Sequence, residues 1–125
     1  MPDTLTFPSR DTAGLPAPDL SALQRALGPR LMADRFSRGR YATDASIYQM
    51  LPHGVVMPES IDDVRVALDF AREQGLAVLP RGGGTSQCGQ TVNHALVIDN
   101  TKHLKRILSL DVENRRCVVE PGIVL

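Results

Sequence analysis

At 125 residues, with 42% hydrophobic and 22% charged residues, the chain is long enough for one modest hydrophobic core and has the make-up of a soluble globular domain. Fourteen basic residues balance fourteen acidic ones, which excludes a global field drawing the chain to nucleic acid or to an anionic membrane surface. No secretory signal opens the chain, no uncharged apolar stretch is long enough to span a bilayer, and Cys88 and Cys117 form no cluster with His53, His94 or His103; the expectation is a cytoplasmic chain with two reduced thiols, no disulfide framework and no metal site.

Residues 1–18 carry Pro2, Pro8, Pro16 and Pro18 among Asp, Thr and Ser, a composition that reads as a flexible leader and leaves 19–125 as the folded part. Asp19 can cap a helix with Leu20, Leu23 and Leu27 on one face, ended by Gly28-Pro29, and Pro29 is placed to start a second short helix through Phe36. From Tyr41 an irregular polar segment closes in Val55-Val56-Met57, short and apolar enough for a buried strand. Ser60 then caps a helix with Asp62 and Asp63 in its first turn; Ile61, Val64, Leu68 and Ala71 recur at helical steps and Gly75 stops it, which predicts a helix over 61–73. Ala77-Val78-Leu79 is a second strand, so 55–79 spell strand, helix, strand, the pattern of a parallel pair with a crossover helix. Ala95 to Asp99 is a third strand, and Ile107–Asp111 and Arg116–Glu120 flank a turn as a hairpin. The predicted fold is α+β, a small mixed sheet with flanking helices. The apolar end Ile123-Val124-Leu125 after Pro121-Gly122 reads as a fold truncated at its C-terminus, with a covering interface as the alternative.

The chemistry sits between the second and third strands, in Leu79-Pro80-Arg81-Gly82-Gly83-Gly84-Thr85-Ser86-Gln87-Cys88-Gly89-Gln90. Three glycines remove every Cβ from the turn and permit positive φ, so successive amides can converge on one anion, with the hydroxyls of Thr85 and Ser86 beside them. The carboxyl end of a strand is where α/β sheets commonly place phosphates. Spacing rejects two familiar loops: Gln90 stands where a Walker loop needs lysine, and Gln87 stands where a GxGxxG needs its third glycine. A plain glycine-rich surface turn remains the alternative on these residues alone.

Beyond the loop, the stretches MPESIDDVRVALDFAREQGLAVLPRGGGTSQCGQ and HALVIDNTKHLKRILSLDVENRRCVVEPGIVL resemble the FAD-linked oxidases of the vanillyl-alcohol-oxidase or PCMH type, in the glycolate, D-lactate and D-2-hydroxyglutarate dehydrogenase branch. The resemblance covers about Tyr41 to Leu125. It implies the N-terminal part of a PCMH-type FAD-binding domain, in which Pro80, Arg81, Gly82, Gly83, Gly84, Thr85 and Ser86, with Gly89 and Gln90 close behind, grip the FAD pyrophosphate. It also implies noncovalent FAD, because members that bond flavin through this loop have a histidine where Thr85 stands. RYATDASIYQMLP is similar to a long subgroup carrying a substrate domain and iron-sulfur segments, which here would lie only in downstream sequence.

Other residues keep two readings. Arg81 either offsets pyrophosphate charge or holds the loop through backbone carbonyls; Asp44 is expected to cap or turn the chain at Ala45-Ser46; Tyr41 and Tyr48 are expected in the core. His53, His94 and His103 are acids or bases by residue type alone, and Pro121-Gly122 either approaches the cofactor or ends a strand. The implied activity is oxidation of a small 2-hydroxy acid to the 2-oxo acid, with catalytic and substrate-binding residues outside this sequence. The alternatives are a non-catalytic FAD- or phosphate-binding fragment, or a related FAD reductase or sugar oxidase sharing this front half.

Overall fold

A computed structural model describes residues 17–124; the expected leader, up to residue 16, and Leu125 lie outside the described residues. The elements in chain order are α1 (Ser21–Leu27), a 3-10 turn (Gly28–Arg30), β1 (Leu31–Met32), α2 (Arg35–Arg40), β2 (Gly54–Val56), α3 (Ile61–Gln74), β3 (Val78–Arg81), β4 (Leu96–Asp99), β5 (Ile107–Asp111) and β6 (Arg116–Val119).

Four strands form one sheet in the order β1-β2-β4-β3, and β5 and β6 form a separate antiparallel hairpin. β2 and β3 run the same way, as the strand-helix-strand pattern requires, but they do not pair: β4 lies between them, parallel to both, with Val97 opposite Val55 on one side and Leu79 on the other. β4 can take the centre because it is apolar on both faces, and all four of its residues are buried. β1 adds an antiparallel edge through Leu31 and Val56.

The second short helix is not where the sequence placed it. Pro29 starts only the 3-10 turn, the chain extends into β1, and the helix begins at Arg35, where the Asp34 side chain accepts from Ser37 N at 2.9 Å. Leu31 is more stable paired in the sheet and buried against α1 than in a second helix, so tertiary burial overrides the local proline signal. In α1 the expected capping residue, Asp19, stands one position before the cap, and its carboxylate accepts from Ser21 N at 2.9 Å.

α3 follows its sequence signals closely. Ser60 and Asp63 form a reciprocal capping box, and Gly75 ends the helix at φ 64. Buried Asp63 also accepts from Arg30 at 2.8 Å, pinning the helix start to the 3-10 turn. The buried face is rotated from the one expected: Ala67, Phe70 and Ala71 pack inward, while Ile61 and Leu68 are half exposed. The two sheet faces divide the core by the period-2 alternation of the strands. Val56, Leu96 and Ile98 meet α1 and α3 through Leu23, Leu27, Phe70 and Ala71, while Val55 and Val97 meet Tyr41 on the opposite face. Each fully buried Leu or Val side chain contributes on the order of 1.5 to 3 kcal/mol.

A candidate anion-binding loop at the carboxyl end of the parallel strands

β3 ends at Arg81, directly opposite Asp99 at the end of β4, and the glycine-rich loop leaves the sheet there. Of the three glycines only Gly84 has a positive φ, 67°, so the freedom that the sequence offers at three positions is used at one. Gly82 and Gly83 serve instead by leaving room: a Cβ on Gly82 would meet nothing, and one on Gly83 would meet only the Thr85 methyl at 3.6 Å. Among the described residues, no carbonyl or side chain accepts a hydrogen bond from the amides of Gly82, Gly83, Gly84, Thr85 or Ser86. Five consecutive free N–H groups, turned by one left-handed residue, fit an anion.

Arg81 resolves in favour of holding the chain. Its guanidinium donates to the carbonyls of Tyr41 at 3.2 Å, Thr43 at 2.8 Å and Thr91 at 2.9 Å, which ties the 41–49 segment to both ends of the loop. Its charge still counts. Arg81 is buried, lies 5.1 Å from the Tyr41 ring centroid, and has no carboxylate within ion-pair distance among the described residues. A buried cation facing only carbonyl dipoles and a ring leaves a positive field at the base of the free amides.

Asp44 makes the turn expected of it and a second bond. One oxygen accepts from Ser46 N at 2.8 Å, and the other accepts from the Thr91 hydroxyl at 2.9 Å. Hydrogen bonds from Ser46, with further ones from Thr91, hold its carboxyl well below the usual carboxylate range, at about 2. Ser86 closes the far side of the loop: its hydroxyl donates to the Gln90 side chain and accepts from the amides of Cys88 and Gln90. Gln90 therefore braces Ser86, and Pro80 is an exposed strand residue opposite Ile98.

Tyr41 is in the core, as expected, and its hydroxyl donates to Asp99 at 2.5 Å; burial, then this bond, raise its pKa above the usual tyrosine value. Asp99 also accepts from the Thr101 amide and hydroxyl at 2.8 and 2.6 Å. Tyr48 departs from expectation: it is 56% exposed and its ring rests against Gly89, where a Cβ would lie 2.5 Å from the ring edge. Gly89, having no side chain, leaves the space in which the ring lies on the loop. Pro121-Gly122 is a backbone contact point. Gly122 N donates to the Leu104 carbonyl at 2.7 Å, and a Cβ there would overlap the Asn100 carbonyl.

His53 is held below its usual pKa by partial burial, with Arg38 and His94 adding to the shift; His94 bonds the Leu51 carbonyl at 2.9 Å and His103 lies 3.9 Å from Glu59. Cys88 and Cys117 are free and exposed. Asp99 and Thr91 escaped the sequence reading, although Asp99 carried a signal, as the last residue of a strand beside the one that ends in Arg81.

Residues 52–125 match the FAD binding domain family. D-2-hydroxyglutarate dehydrogenase of Pantoea ananatis is 42% identical over 95 residues, which are 74% of this chain and 9% of that protein. Glycolate oxidase subunit GlcD of Bacillus subtilis is 36% identical over 87 residues, 67% of this chain and 18% of that protein. The chain thus spans about a tenth to a fifth of the length of these relatives. An alkyldihydroxyacetonephosphate synthase structure superposes with a TM-score of 0.70 at 19% identity, over 82% of this chain and 22% of that one, which establishes the shared fold. The chain belongs to the FAD binding domain family of FAD-linked oxidases, in the branch that includes the D-2-hydroxyglutarate dehydrogenases and glycolate oxidases.

Proposed function

We propose that this chain grips the pyrophosphate of noncovalently bound FAD within a longer dehydrogenase that oxidises a small 2-hydroxy acid to its 2-oxo acid. The observation that carries the reading is the run of five unpaired amides from Gly82 to Ser86. These amides would donate to the phosphate oxygens, the Thr85 hydroxyl would add a further donor, and the buried Arg81 charge would favour the dianion from behind. Gln90 acts by shaping the loop through the Ser86 hydroxyl, and Gly89 leaves the space that the Tyr48 ring fills. The cofactor, when bound, supplies the hydride acceptor. Thr85 offers no imidazole for a histidyl-flavin bond at this position, which supports noncovalent attachment. The names of the D-2-hydroxyglutarate dehydrogenase and glycolate oxidase relatives support the substrate class.

Residues 1–125 alone are expected to hold FAD poorly and to turn nothing over, because the loop would supply only phosphate contacts and the catalytic residues are expected outside this sequence. Acid precipitation of the full-length protein tests the attachment: flavin is expected in the supernatant, and flavin left in the pellet rejects it. Reduction of the bound flavin by D-2-hydroxyglutarate, D-lactate or glycolate tests the substrate class, and a flavin that none of them reduces rejects it.

A further inference from the structure

One residue past the free amides, Ala45, Ser46, Ile47 and Tyr48 face Gln87 and Cys88 across a hollow of about 480 Å³, within the size range of small-molecule sites. Ile47 and Tyr48 are 94% and 56% exposed, a large apolar and aromatic surface on an otherwise polar segment.

This surface is held in place from several directions. Asp44 fixes the turn at Ser46 and ties it to Thr91; the Ser46 hydroxyl accepts from Tyr48 N at 3.1 Å; Thr43 pairs with Gln49; and Arg81 holds the carbonyls of Tyr41 and Thr43. The Tyr48 ring is seated on Gly89, at φ 80, a position where any Cβ would displace it. An exposed tyrosine normally keeps its rotamer freedom, which costs about 1 to 2 kcal/mol to remove. Here the seat on Gly89 is built from the same loop that carries the amides.

Resting on the reading of the loop as a dinucleotide pyrophosphate site, we infer that Tyr48 is a binding residue whose ring packs against a planar ring of the same dinucleotide. The linkage makes this demand. A pyrophosphate in a dinucleotide carries an aromatic ring system on each side, and a fixed aromatic face beside the phosphate site offers one of them a stacking surface without new ordering cost. Ile47 extends that face, and the Gln87 and Cys88 side of the hollow bounds it.

The experiment titrates the full-length apoprotein with FAD, ADP and inorganic pyrophosphate, in wild type, Tyr48→Phe and Tyr48→Leu. Leucine covers Gly89 but cannot stack, so it is expected to weaken FAD about tenfold to a hundredfold, the range of one base–aromatic stack. Phenylalanine is expected to bind within a fewfold of wild type, and pyrophosphate affinity is expected to stay the same in all three. A parallel loss for ADP identifies adenine as the ring; unchanged ADP with weakened FAD identifies the isoalloxazine, and the flavin absorption bands then also shift. Equal loss of all three ligands would show that Tyr48 only props the loop, and no loss of any would show that it faces solvent; either result overturns the inference. Failure of the wild-type protein to bind FAD counts against the pyrophosphate reading itself and is distinct from both.

Discussion

The Arg81 guanidinium occupies the space that a side chain on Gly84 would need: a Cβ there would lie 2.9 Å from Arg81 Cζ, at a backbone φ of 67°. Gly84 thus lets the loop lie against the cation that anchors it. Gly84→Val combines left-handed strain with displacement of Arg81. The strain alone costs about 1 to 3 kcal/mol, a roughly five- to hundredfold loss of FAD affinity if expressed in binding. Thr85→Ala removes one hydroxyl, worth roughly 0.5 to 1.5 kcal/mol, or up to about 3 to a charged oxygen. FAD titration is expected to rank Gly84→Val as the more damaging; the reverse order would mean that side chains, and not amides, hold the phosphates.

Arg81→Lys keeps the charge but loses the planar fork that reaches three carbonyls at once. Each bond to a charged donor is worth about 1.5 to 3 kcal/mol of stability, so losing even one predicts roughly tenfold weaker FAD binding if that loss is expressed in ordering the loop for the ligand. Faster amide exchange across 41–49 should accompany it, by mass spectrometry. Exchange unchanged in that segment would separate Arg81 from its role as a clamp.

Asp44 sets a pH window. Its folded pKa lies near 2, below the ordinary 3.8, so its contribution is fully present above 3.8 and disappears as pH falls toward 2. Acid unfolding of wild type and Asp44→Asn should therefore differ at pH 5 and converge below about pH 2. A constant gap across that range would show that the carboxylate charge does not matter to the turn.

Gly122→Ala forces a Cβ into the backbone of Asn100 and Leu104. Overpacking of this kind costs about 1 to 3 kcal/mol. Limited proteolysis should cut the mutant faster between 99 and 123, while FAD affinity falls less than in Gly84→Val. Equal proteolysis of mutant and wild type would place Gly122 in a looser turn.

The regular elements were legible wherever a local signal agreed with burial. Ser60, Asp63 and Gly75 bound α3 within a residue of expectation, and the hairpin lies where alternation placed it. The loop was legible because glycines, hydroxyls and a strand end coincide in one short stretch. What stayed hidden depends on partners remote in sequence. β1 exists because Val55 and Val56 are there to pair with it, β4 sits centrally because both of its faces find cover, and Arg81 chooses carbonyls supplied by Tyr41 and Thr43, some 40 positions earlier. The seat of Tyr48 on Gly89 is of the same kind: nothing in either residue's neighbours announces it.

The central placement of β4 also governs how the chain acquires its shape during synthesis. β2, α3 and β3 emerge from the ribosome before β4, yet β2 and β3 do not pair with each other, and the parallel pairing of both waits for Leu96–Asp99. Until those four residues are available, β2 can pair only with β1, and Val55 and Val56 lack the part of their cover that Leu96, Val97 and Ile98 supply. Completion of the sheet is therefore a late event that must close the long loop from Gly54 as well as the shorter one from Val78, a non-local step with the slow kinetics such pairings bring. A nascent chain stalled before Leu96 would present β3 and one side of β2 unpaired to the cell's chaperones.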